Sequence, residues 1–132
     1  MNVITHNGTR LAVHYTMDDI RKGLGFLSND SEFIQVGTWR YDAGTQLQNH
    51  NHFIVERDVN RTQESIVVLQ GSLMARVYDE EDNFIAEVKV SAHEGMIMLT
   101  GGHGYEILDD DTIVIESKNG PYPGAEVDRR RF

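Results

Sequence analysis

The stretch Glu64-Ser65-Ile66-Val67-Val68-Leu69-Gln70-Gly71-Ser72-Leu73-Met74-Ala75-Arg76-Val77-Tyr78-Asp79 decides the fold class. Two β-rich runs, Glu64–Gln70 and Leu73–Asp79, are divided by Gly71-Ser72, a pair suited to reversing the chain. Side chains two apart on a strand share a face, so Glu64, Ile66 and Val68 form one row. The same period of two recurs outward, in Phe33–Tyr41, Gln48–Glu56, Phe84–Val90, Met96–Thr100, His103–Leu108 and Thr112–Ser117. Turn material separates these runs: Asp42-Ala43-Gly44, Asp79 to Asn83, Glu94-Gly95, Gly101-Gly102 and Asp109 to Asp111. The acidic clusters among them, Asp79–Asp82 and Asp109–Asp111, read as solvated loop tips. Only Thr16 to Leu24 reads as a helix, with Thr16 as its cap, Asp18 and Asp19 in its first turn, and Gly23 and Gly25 ending it. Eight short strands predict an all-β barrel or sandwich, architectures that remove or protect strand edges.

Length and composition bound the rest. The 132 residues suit a single domain. With 12 basic against 21 acidic side chains, the net charge of −9 offers no footprint for nucleic acid or an anionic membrane. No segment approaches the roughly 20 apolar residues of a membrane helix. Met1 to Arg10 contains His6, Asn7 and Arg10, unlike a secretory signal, so the expected location is the cytoplasm. The absence of cysteine excludes disulfides, iron–sulfur clusters and thiolate-bound zinc. Any metal must be held by histidine and carboxylate.

Six histidines are present, and two of them form His50-Asn51-His52 within an expected strand. On a strand those two side chains point the same way with Cα atoms about 6.6 Å apart, close enough to converge on one ion. Glu56 lies on their face by parity, but about 13 Å along the strand from His52. Glu64 opens the next strand; if the chain reverses around Arg57 to Val59, it falls opposite His52, where cross-strand Cβ atoms are about 4.5–5.5 Å apart. Glu64 is therefore the better ligand and Glu56 the alternative.

These residues resemble the motifs of the cupin superfamily. The first cupin motif runs from a glycine through His-x-His and a glutamate to a second glycine; Gly44, His50, His52, Glu64 and Gly71 follow that order. The gap from His52 to Glu64 is longer than usual, consistent with an extended hairpin. The second motif resembles Gly95 to Tyr105, with glycine in place of the usual proline, a shortened loop, and His103 in the place of the third histidine. The likeness covers residues 33–117. Phe33–Tyr41, Thr62-Gln63-Glu64, Gly101 to Tyr105 and Asn119 to Gly124 resemble a group of small single-domain bacterial cupins.

The resemblance implies a double-stranded β-helix, a jelly-roll barrel, with one short N-terminal helix. The core barrel would span 33–117, between an N-terminal arm over 1–32 and a tail over 118–132. It implies a divalent metal (Fe, Mn, Ni, Zn or Cu) held by His50, His52, Glu64 and His103, a small polar substrate, and a homodimer. The implied activity is a dioxygenase or a sugar or keto-acid isomerase; the alternative is a non-catalytic binding or sensing module. Parity offers Trp39, Tyr41, Tyr105, Met96 and Met98 as pocket candidates, against the reading that Trp39, Met96 and Met98 fill the barrel. Arg40, Arg57 and Arg76 are candidates for holding an anionic group.

Overall fold

The computed structural model describes residues 1–132. Its core is one antiparallel sheet. β1 (Asn2–His6) and β2 (Thr9–Tyr15) form a hairpin, and β2 continues the sheet through β8 (Gly95–Met98) to β5 (Glu64–Gln70) and β10 (Ile113–Lys118). A three-stranded sheet, β7 (Phe84–Ser91), β6 (Ser72–Tyr78) and β9 (His103–Ile107), faces it. β3 (Gly23–Phe26) and β4 (Gly37–Arg40) pair separately as a two-stranded ribbon. The all-β expectation holds, and the three sheets do not close into a single hydrogen-bonded barrel.

Alternation builds two cores. From β5 and β8, Ile66, Val68, Met96 and Met98 face the three-stranded sheet and pack on Leu73, Ala75, Val77 and Val90. The opposite row, Val67, Ile97 and Leu99, packs with Val13 and Tyr15 under Leu27 and Ile34. The central sheet is thus covered on both faces, which explains why β8 is buried along its whole length. Met96 and Met98 fill the core, whereas Trp39 does not.

Three expectations need correction. The helix over Thr16–Leu24 shrinks to a single 3-10 turn, Met17–Asp19. The Asp19 carboxylate accepts the Thr16 N–H at 3.0 Å, holding a tight turn, and the backbone leaves it extended at Ile20 before Gly23 adopts a φ of +90°. No strand forms over Gln48–Glu56. The stretch pairs with none of the outer strands β1, β7, β9 and β10, and Phe53 and Ile54 stay exposed. Asp79 is not a solvated loop-tip residue: it is buried, and its carboxylate accepts the N–H groups of Glu81 and Asn83 at 3.0 and 2.9 Å to shape the β6–β7 turn.

The N-terminal arm is part of the core rather than an appendage, since Ile4, Leu11 and Ala12 pack in the larger cluster. Asn7-Gly8 is the turn that places it there, with φ of 48° and 78° between paired His6 and Thr9.

Gly95 tests this packing. A Cβ there would lie 2.4 Å from the Tyr15 ring and 2.6 Å from the Ile66 carbonyl oxygen. Gly95→Ala is therefore expected to cost about 1–3 kcal/mol in urea unfolding. Gly104→Ala, which meets nothing within 4 Å, should change stability by less than about 0.5 kcal/mol.

Candidate functional site

The site is built where the two larger sheets meet. Glu64 begins β5, is only 4% exposed, and sits in register with Lys118 at the end of β10. His103 and Tyr105 share a face of β9, on the opposing sheet. All three reach the same carboxylate: the His103 Nε2 lies 2.8 Å from Glu64 Oε1, the Tyr105 hydroxyl donates to Oε1 at 3.0 Å, and Lys118 Nζ lies 3.1 Å from Oε2. Lys118 also reaches Glu116 at 3.1 Å.

This arrangement settles charge states. Burial alone pushes the Glu64 carboxyl up, but the His103 contact and then the Lys118 contact outweigh it and hold it at about 2. Tyr105 is driven the other way, first by burial and then by the adjacent Glu64 charge, so its hydroxyl stays protonated. With Glu64 ionised, Nε2 of His103 must carry the hydrogen it shares with Oε1. In the neutral ring Nδ1 is then the free acceptor, and no protein group bonds to it.

Glu64, His103, Tyr105 and Lys118 line an open groove of about 1160 Å³. Its walls include Tyr78, Met98, Pro123 and the residues from Val127 to Phe132. No buried side-chain polar atom lacks a partner.

Behind the site, Gln63 is buried and locks the strand entry. Its side-chain carbonyl accepts the Ile34 N–H at 3.0 Å, and its amide donates to the Leu99 carbonyl at 3.2 Å. Its backbone N–H donates to Asn119 Oδ1 at 2.7 Å, tying β5 to the segment after β10.

The other expected site residues lie elsewhere. His50 and His52 stand on the exposed stretch between β4 and β5, with ring centroids 5.2 Å apart, and do not line the groove. Glu56 and Arg57 belong to the same exposed stretch. Trp39 projects from the β3–β4 ribbon at 68% exposure, with Tyr41 just beyond it. Arg40 donates to the Ile20 carbonyl at 3.3 Å. Arg76 pairs with Glu87 and Glu106 on the three-stranded sheet. Of the four residues expected to hold a metal, Glu64 and His103 come together, and no three His, Asp or Glu side chains converge in a metal-holding group. Lys118 escaped sequence reasoning; its signal is register, because an antiparallel β5–β10 pair sets it directly opposite Glu64.

Comparison with protein-family models, curated proteins and solved structures returned no match. No helix is long and apolar enough to cross a membrane.

The Glu64 cluster predicts an acid limb in stability. Because its pKa lies at about 2 in the folded protein, below the ordinary 4.5, its stabilisation is complete above the unfolded value and disappears as pH falls toward 2. The loss is about 3 kcal/mol. Glu64→Gln should unfold more easily than wild type at neutral pH, with the two curves converging in this window. Parallel curves down to the lowest pH would contradict the cluster.

Proposed function

We propose that the protein is a cupin-type β-protein that handles a small polar molecule in the Glu64–His103 groove, by proton transfer of the isomerase kind. The 2.8 Å contact between His103 Nε2 and Glu64 carries this reading. A buried carboxylate that fixes one imidazole nitrogen leaves the other to act as base. His103 Nδ1 would take a proton from a carbon or hydroxyl beside a carbonyl. Glu64 stabilises the imidazolium so formed, which returns the proton to the neighbouring atom. Tyr105, kept protonated, orients the carboxylate, and Lys118 balances its charge.

A second reading, metal-dependent chemistry, is favoured by the same distance. Donors about 2.1 Å from one ion and at right angles to each other stand roughly 3.0 Å apart, near the separation of Glu64 and His103. In this reading His50, His52, Glu64 and His103 hold a divalent ion (Fe, Mn, Ni, Zn or Cu). It would supply Lewis acidity or a place for dioxygen. As placed, the four donors do not form one coordination sphere, so the proton-transfer reading is preferred. A non-catalytic binding or sensing protein would use the groove without turnover. Pairing of two copies, which would cover the exposed Leu24, Phe26 and Trp39 of the β3–β4 ribbon, completes the proposal.

The test is deuterium incorporation into keto acids and sugar phosphates in heavy water, followed by NMR, with elemental analysis of tag-free protein. Metal-free wild type should catalyse exchange, His103→Gln should lose at least about 100-fold, and His50→Ala should be unaffected. Exchange that needs one bound ion per chain and vanishes in His50→Ala selects the metal reading. Binding without exchange selects the non-catalytic one.

A further inference from the structure

We infer that the C-terminal segment 121–132 is an anion-selecting rim of the groove, in which Arg129 and Arg131 supply the counter-charges for an anionic ligand. The inference rests on the groove being the ligand site, and it adds the ligand's chemical class.

The segment is fastened to the groove wall at several points. Phe132 packs edge-on against Tyr78, with ring centroids 5.1 Å apart, and lies over Gly102, where a Cβ would sit 2.7 Å from its ring. A side chain at Gly102, which directly precedes His103, would displace the Phe132 ring. Arg130 grips both oxygens of Asp82 at 2.8 Å and stands 5.5 Å from the Phe132 ring centroid. Asp128 is hydrogen-bonded by the Thr62 hydroxyl. The segment is therefore a docked wall of the groove.

Six carboxylates and five Lys or Arg side chains line the groove, and two of those cations form no salt bridge. Glu64 and Glu116 are met by Lys118, Glu80 by Arg61 at 2.6 Å, and Asp82 by Arg130. Asp79 is held by Asn83, with His6 at 3.6 Å, and Asp128 by Thr62. Every carboxylate lining the groove is thus engaged. Arg129 donates only to the Tyr122 hydroxyl at 3.3 Å, and Arg131 has no partner, although both line the groove. Glu126 borders a hollow beside them without pairing to either. Arg129 feels the charges of Asp128 and Glu116 without pairing to either, so two forked guanidinium groups that line one groove are placed to match a carboxylate or phosphate. The anion would be held at the rim while the rest of the molecule extends toward His103.

Inorganic phosphate is the probe, titrated into isotopically labelled full-length protein, with the His103 and Arg side-chain NMR signals as readout. Wild type should respond saturably. Arg129→Gln/Arg131→Gln should weaken binding by at least about tenfold. Phe132→Ala, which undocks the segment, should weaken it comparably, and Lys89→Gln, outside the groove, should not. Binding unchanged in the double variant, or no saturable response in wild type, overturns the rim. The two proposals fail separately. Arginine-dependent phosphate binding without deuterium exchange leaves the rim and removes the proton transfer. Exchange together with arginine-independent phosphate binding does the reverse.

Discussion

The structure turns on one buried carboxylate. Glu64 lies between sheets, receiving Lys118 from its own sheet and both His103 and Tyr105 from the facing one. Taking a carboxylate out of water costs several kcal/mol unless its lone pairs are filled by good donors. Three donors meet that requirement, and in doing so they fix the relative placement of β5, β9 and β10 at one end of the molecule. Apolar residues of similar volume would hold those strands together at least as well. The polar cluster is thus better explained by the groove it faces than by stability.

The surroundings are arranged to keep that cluster rigid on one side and open on the other. Below it, the central sheet is packed on both faces, by Leu73, Ala75 and Val77 from one direction and by Leu27 and Ile34 from the other. Beside it, Gln63 ties the start of β5 to the loops at Ile34, Leu99 and Asn119. Above it, the groove wall is the segment after β10, docked through Phe132 and Arg130.

Much of this was legible in sequence, for identifiable reasons. The strands from Glu64 onward follow period-two alternation bounded by glycine and acidic turns, and six of the expected runs became β5 to β10 within a residue or two at most ends. Glu64 and His103 emerged from parity and motif order. The hairpin around Asn7-Gly8 carried a clear turn signal that its polar flanks, His6 and Thr9, obscured. Thr16 to Leu24 carried helix start signals, yet local bonding of Asp19 satisfied the same groups in a single turn. The stretch around His50 and His52 had a strand-like spacing but no partner strand, and pairing is a property of the whole fold. Lys118 depended on register with Glu64 and Phe132 on the path of the tail, neither of which a local pattern encodes.

The ionised state of Glu64 underlies both the tautomer of His103 and the chemistry proposed for the groove. The most direct test is an NMR titration of its side-chain carboxyl carbon in selectively labelled protein. A midpoint near 2 is the result predicted. A midpoint at or above the ordinary 4.5 would mean that His103 and Lys118 do not hold the carboxylate, and would contradict the account.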